Sequence, residues 1–405
     1  MLGWSAPLQK TFNEFSDPAP VKIACISASR VPSSAANSIQ VMKACQAIHE
    51  LGHEVHLYVP GEAQQATNTD IKVFYGLRSP FSIEWLPSRP GLHRYDLAWQ
   101  AVHKAAHIEA DLTYVWFIQA GIFSLLRHLP VLYELHGPPE GSFGPTLFRT
   151  FLKLPGKKRL LPITHALASQ LSQSYPVKVT DPELVKVLPN GVDLERYINL
   201  PQPSQARLQL GLPTKFSIGY TGHLYPGRGI SLLLELARRF PQLHFLWVGG
   251  VEADQAYWRR RLTESDIENV TLAGFIDNQQ LPLYQAACEI LLMPYEKVIS
   301  GSSGGNSAAY ASPMKMFEYM ASRRAIISSD LPVIREVLNQ SNAVFCPPDD
   351  IEGWSRALSA LVTDDERRCS LAEQAWKDAQ QYSWLERARS ALQGFPQPQT
   401  LSAHD

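Results

Sequence analysis

The sequence has little of three things that usually announce a function. Its five cysteines (Cys25, Cys45, Cys288, Cys346 and Cys369) are scattered over 405 residues, with no CxxC and no ligand-like pair beside histidines. That spacing argues against structural zinc, points to a reducing compartment and leaves no metal to expect. Net charge is nearly absent, because 37 Lys and Arg against 38 Asp and Glu give −1. No global field therefore draws the chain to nucleic acid or to an anionic membrane. Long apolar runs are missing too, so no segment reads as a membrane span. The opening stretch MLGWSAPLQKTFNEFSDPAP lacks the basic start and continuous apolar core of a secretory signal. The expectation is a cytoplasmic protein without a nucleic-acid partner, with peripheral contact at the inner membrane face left open.

What is present describes a globular chain, 45% apolar and 19% charged, longer than one core usually organises. VKIACISA (21–28) reads as a strand, SIQVMKACQAIHELG as a helix and HEVHLYVP as a second strand. Strand, helix and strand in this order, with strands apolar on both faces, predict a parallel α/β sheet. LTYVW (112–116) and VLYEL (131–135) extend it, and RLLPIT (159–164) and VKVLPN (185–190) are expected to close it. The proline-rich 188–213 reads as a connector without a strong strand. The rhythm then restarts with KFSIGYTG, ISLLLELARRF and HFLWVGG, followed by strands at VTLAGF, EILLMPY, RAIISSD and NAVFCPP. Two doubly wound domains are expected, at 1–200 and 201–380, with 381–405 forming a helix that returns to the first domain and a tail. Such a pair places a ligand site between the carboxyl ends of its strands.

Two stretches of the second domain carry candidate chemistry. TGHLYPGRG (221–229) joins a strand to a helix. Its glycines, Gly222 among them, permit close backbone approach, and the helix start offers unpaired N–H groups. It is neither GxGxxG nor a Walker sequence, so dinucleotide and P-loop readings are weak. Arg228 offers a fork suited to phosphate, with His223 across the turn; the plainer alternative is an ordinary turn with an exposed arginine. In SPMKMFEYM (312–320), Ser312 is a good N-cap and Pro313 a good first helical residue, so a helix is expected to start there. The amides of Met314 and Lys315 and the Lys315 ammonium would then meet an anion. Glu318, less than a turn on, would reach hydroxyls beside it, as a nucleotide's ribose supplies. The plainer alternative is a Lys315–Glu318 surface pair worth a few tenths of a kcal/mol, about 0.2–0.5. EKVISGSSGGNSAAY (296–310) reads as a glycine- and serine-rich loop that either folds over a sugar or is disordered in the free protein, and GFIDNQQ places Gly274, Phe275 and Ile276 where a base could be held.

Taken in order, SAANSIQVMKACQAIHELGHEV, GYTGHLYPGRG and SPMKMFEYMASRRAIISSDLPVIREV resemble the family 4 retaining glycosyltransferases of the two-domain GT-B architecture, over roughly residues 21–390. The resemblance implies two Rossmann-like domains facing across a cleft, an N-terminal one for the acceptor and a C-terminal one for a nucleotide-sugar donor. The donor it implies is a UDP- or GDP-sugar, and the acceptor a carbohydrate, lipid-linked or small-molecule hydroxyl. The family's basic pair on the donor phosphates falls on His223 and Arg228, where arginine and lysine are usual. Pro313, Met314 and Lys315 look like its pyrophosphate contact, and Glu318 matches the second acid of its E-x7-E pattern. Tyr310 stands where the first acid is usual. His136, in YELHG, matches a histidine near the transferred sugar, and Ser34 and Asn37 fall in the loop near donor phosphate and acceptor. The catalytic set implied is His136, Arg228 and Lys315. Competing readings are an epimerase or phosphorylase of the same architecture, and a noncatalytic nucleotide-sugar-binding protein. FRTFLKLPGKKRLLPIT (148–164) mixes basic and apolar residues, which suits either a solvated turn or a membrane contact.

Overall fold

An apolar run such as VKIACISA needs cover on both of its faces, and it finds it. The computed structural model describes residues 19–62, 70–299 and 308–395. It places Lys22–Ile26 (β1) inside a six-stranded sheet. Ala24 and Ile26 join one apolar cluster while Ile23 and Cys25 join another on the opposite face, as the two-residue strand period requires. The sheet continues with Glu54–Pro60 (β2), Ser82–Leu86 (β3), Leu112–Val115 (β4), Val131–Leu135 (β5) and Lys158–Pro162 (β6). Its order is β3-β2-β1-β4-β5-β6, and every pairing is parallel.

The second sheet contains Ser217–Thr221 (β7), His244–Val248 (β8), Val270–Gly274 (β9), Ile290–Met293 (β10), Ala325–Ser329 (β11) and Val344–Cys346 (β12). Its order, β12-β11-β10-β7-β8-β9, repeats the first when each sheet is counted from its own first strand. The direction of winding reverses between β1 and β4 in one domain and between β7 and β10 in the other. These switch points open a crevice at the strands' carboxyl ends. Two Rossmann-like α/β domains thus face one another across a cleft, the GT-B arrangement.

Several local expectations are corrected. VKVLPN forms no regular strand, although it lies along β6 with a bridge from Leu160 to Val185 and bonds from Lys186 N to Leu160 O (3.0 Å) and Leu188 N to Pro162 O (2.9 Å); Pro189 lacks a ladder N–H, which works against further pairing. SIEWL, unassigned in the sequence reading, is the edge strand β3. The connector contains a helix, Pro203–Leu210, closed by Gly211 in the left-handed region. Part of the 296–310 loop, residues 300–307, lies outside the described residues.

The chain passes between the domains twice, near Gly191 and near Ser383, and the passes are bonded together. Val192 N donates to Tyr382 O (3.0 Å) and Trp384 N to Val192 O (3.1 Å). Beyond them the Trp384–Leu392 helix packs on the Ala36–Glu50 helix of the first domain. Trp384, Ala388, Ala391 and Leu392 are buried with Met42, Cys45 and Ile48. Fully burying a large apolar side chain contributes about 1.5–3 kcal/mol, enough to hold that helix there.

The basic stretch near residue 158 is largely engaged with backbone. Lys158 Nζ bonds Phe151 O and Leu152 O, both at 3.1 Å, on the last turn of the Gly144–Lys153 helix. Arg159 bonds Ala391 O (3.3 Å) and Gln393 O (2.7 Å), and Lys157 bonds Gly394 O (3.0 Å). These residues clamp a helix end and the end of the returning helix.

Candidate active site

At the end of β7 the chain turns through Gly222, whose φ of 138° suits glycine. A Cβ there would lie 2.7 Å from Lys315 Nζ, so a bare backbone is what lets the lysine approach. Gly222 N donates to Val248 O (2.8 Å), and Gly249 N to Gly274 O (2.6 Å). The ends of β7, β8 and β9 are therefore laced into one rim. Gly229, which caps the following helix at φ 72°, touches Pro294 so closely that a Cβ would meet its carbonyl oxygen at 1.8 Å.

The Met314–Ala321 helix starts one residue later than Pro313 suggested. Pro313 has an extended ψ of 125° and is the N-cap, with no side-chain cap bond. Ser312 is committed elsewhere: its hydroxyl accepts from Asn190 N (3.0 Å), while its carbonyl accepts from Asn190 Nδ2 (2.6 Å). The helix thus presents its first amides, those of Met314 and Lys315, without a side-chain partner, which favours an anion.

Two cations converge at this end. Lys315 Nζ lies 4.0 Å from the Tyr220 ring centre and 5.2 Å from that of Tyr295. Arg228 Cζ lies 5.2 Å from the same Tyr295 ring and 4.8 Å from Tyr225, whose hydroxyl accepts from Nη2 at 2.5 Å. Arg228 Nε is buried without a partner, and among the described residues Lys315 has no ion pair. Burial, with Arg228 beside it, pushes the Lys315 ammonium well below its ordinary range. His223 stacks on Tyr225 at 5.1 Å, and burial together with both cations pushes it down to about 4. Two unneutralised cations, a depressed histidine and free helix amides describe a site prepared for negative charge.

Glu318 lies on the same helix, half-buried beside Gln285, whose Nε2 donates to Oε2 at 3.2 Å. Burial pushes its carboxyl up, against the pull of Arg196, the Gln285 amide and Lys315. It borders a small cavity between the domains that also involves Lys43, Asp193, Arg196 and Asn278. The surface-pair alternative does not hold, because Glu318 and Lys315 form no salt bridge.

The remaining site residues divide between the two walls. Gly274 belongs to the glycine rim, and Ile276 packs against the core. The Phe275 ring instead meets Phe74 of the first domain at 5.7 Å. Ser34 is half-buried and Asn37 exposed, at the entrance of the Ala36–Glu50 helix. Their loop is held by Tyr75, whose hydroxyl accepts from Ser33 N (2.8 Å) and shares a 2.7 Å bond with Ser38. His136 follows β5 at the cleft edge, its Nε2 2.8 Å from Glu134 Oε1. Tyr310 crosses to the first domain: a Cβ on Gly137 would lie 3.2 Å from its ring, and its hydroxyl is 3.4 Å from Glu140 Oε1. A carboxylate therefore reaches this wall from the opposite domain. The sequence reading missed Tyr220, Tyr225 and Tyr295; LLMPY, an apolar strand ending in an aromatic, was the available signal for Tyr295.

Comparison with known proteins agrees with this arrangement. Residues 215–364 match the model of the family described as Glycosyl transferases group 1. Residues 38–196 match that of Glycosyltransferase Family 4. A phosphatidyl-myo-inositol mannosyltransferase of Mycolicibacterium smegmatis is 23% identical over 362 residues, covering 85% of each chain. Anabaena HepE in complex with UDP-glucose superposes with a TM-score of 0.69 at 18% identity, over 92% of this chain and 98% of that one. Sucrose-phosphate synthase from Thermosynechococcus elongatus gives 0.68 at 19%, over 91% and 96%. At these identities the two structures share the fold.

Proposed function

We propose, for a chain related to the GT-B-fold glycosyltransferase superfamily, that it transfers a glycosyl group from a nucleotide-sugar to a hydroxyl acceptor with retention at the anomeric carbon. The observation that carries the reading is the meeting of Arg228, Lys315 and an uncapped helix start at the switch point of the second sheet. A diphosphate would satisfy all three at once, and Glu318 would take the ribose hydroxyls. That HepE is described in complex with UDP-glucose supports a uridine donor, with a GDP-sugar as the alternative. The mannosyltransferase and sucrose-phosphate synthase relatives leave the acceptor open among lipid, glycan and small molecule.

In the reaction, the bond between C1 and the donor phosphate oxygen breaks, and its electron pair leaves with the diphosphate. The developing charge falls on Arg228, Lys315 and the helix amides, preorganised donors that need little rearrangement. The acceptor oxygen bonds to C1 on the face the nucleotide leaves, and its proton passes to a phosphate oxygen. No side-chain nucleophile is required, which distinguishes this route from a retaining glycosidase's paired carboxylates. His136 would contact the sugar from the first domain.

Incubation with UDP-, GDP- and ADP-sugars and lipid, glycan and small-molecule acceptors, followed by proton NMR, tests the reading. Product with the donor's anomeric configuration is expected. An inverted product would overturn retention, and tight donor binding without turnover across the panel would favour a binding protein.

A further inference from the structure

His136 is held by a buried network whose far end lies in the Trp384–Leu392 helix. Glu134, the residue before Leu135 at the end of β5, is 1% exposed. Its Oε1 accepts from His136 Nε2 (2.8 Å), from Arg387 Nη2 (3.0 Å) and from Gln40 Nε2, and its Oε2 accepts from the Tyr114 hydroxyl. Arg387 is 6% exposed. It also donates from Nη1 to Tyr114 Oη (3.2 Å), from Nε to Pro189 O (2.8 Å) and from Nη2 to Leu188 O (3.3 Å). Burial alone would raise the carboxyl, but Arg387, the His136 contact and the Tyr114 bond hold Glu134 down to about 2.

We propose that Arg387 is a positioning residue for His136: by keeping Glu134 an anionic acceptor, it fixes the His136 proton on Nε2 and leaves Nδ1 to accept in the cleft. The inference rests on the transferase reading for its catalytic consequence, since only there does His136 face a sugar. Its structural part stands on the network. A buried carboxylate without its cation becomes protonated rather than remaining charged. A protonated Glu134 could donate to Nε2, and the imidazole proton would then move to Nδ1, turning an acceptor toward the sugar into a donor. His136 Nδ1 has no hydrogen-bond partner among the described residues, so either tautomer is available to it. The Trp384–Leu392 helix thus reaches the cleft through two side chains, without touching substrate itself.

Nitrogen-15 NMR of labelled full-length protein, with His136 identified by its absence in H136N, reads the tautomer directly. Neutral His136 should carry its proton on Nε2 in the wild type and in R387K, and on Nδ1 in R387M. With donor and acceptor supplied, R387M should lose about 10- to 100-fold in kcat, the range for removing a group that orients a functional histidine. Donor KM should stay within about twofold, R387K should recover most of kcat, and R387M should add nothing to H136N. An Nδ1-protonated wild type would overturn the proposal, and that measurement stands even if R387M fails to fold. An unchanged tautomer in folded R387M, or equal losses in R387M and R387K, would do the same. Absence of turnover with every donor would instead defeat the transferase reading, leaving the tautomer result to decide this one.

Discussion

Lys315 holds its ammonium against two tyrosine rings with no salt bridge among the described residues, and His223 is kept neutral by the same surroundings. A bound diphosphate would offset both repulsions. With its pKa at about 4 in the free protein, His223 is neutral at pH 5.5. A neighbouring dianion returns it toward its ordinary 6.5, so it is protonated when donor is bound. Binding a UDP-sugar, whose diphosphate does not titrate here, should therefore take up protons between about pH 4 and 6.5. Affinity should rise as pH falls through that window. Calorimetry in buffers of different ionisation enthalpy reads the uptake, which H223Q should abolish. Removing Lys315 or Arg228 as K315M or R228M should weaken donor binding about 10- to 150-fold, the worth of a charge-assisted hydrogen bond of about 1.5–3 kcal/mol. E318A should lose about fivefold, since hydroxyl contacts contribute about 1 kcal/mol. Full affinity in E318A would remove the ribose role. At this scale Arg228, Lys315 and Glu318 are legible because charged residues stand at a loop and a helix start. The tyrosines that seat the cations are not, because one aromatic among apolar neighbours looks like any core residue.

The elements are legible wherever both faces of a strand are buried, as in VKIACISA and RAIISSD. Legibility fails at edges: VKVLPN has the composition of a strand but meets β6 only through Lys186 N and Leu188 N, and SIEWL pairs on one side only. Helix starts fail for a different reason. Ser312 has the chemistry of an N-cap, yet Asn190, 122 residues earlier, claims its hydroxyl, and no local pattern announces such a partner. The helix is consequently uncapped where an anion is wanted. S312A should therefore cost about 1 kcal/mol of stability by chemical denaturation. Donor affinity should change little, whereas a true N-cap would couple the two. G229A should be worse, because the φ of 72° strains any side chain and Pro294 O blocks the Cβ. Loss of more than about 2 kcal/mol, with weakened donor binding, is expected from the strain and the clash together.

At the scale of the whole molecule, the strand order is duplicated and two crossings bonded side by side join the two domains. The doubling is legible in the restarted strand–helix rhythm. The contacts across the cleft are not, because they join residues far apart in sequence. Glu336 of the second domain caps the first turn of the His165–Ser174 helix in the first, accepting from His165 N (2.7 Å) and Ala166 N (2.8 Å). Its loss, about 1 kcal/mol for a helix cap, should loosen closure. X-ray scattering should report a larger radius of gyration for E336A than for wild type, reduced again by saturating donor. In the proposed transfer, such closure would exclude water from the reacting bond. Where a donor's diphosphate sits is measured directly by a crystal structure with an intact nucleotide-sugar. The diphosphate is expected within hydrogen-bonding distance of Lys315 Nζ, the Arg228 guanidinium and the Met314 and Lys315 amides, with the ribose on Glu318. A nucleotide-sugar bound with its diphosphate touching neither cation nor the helix start would contradict it.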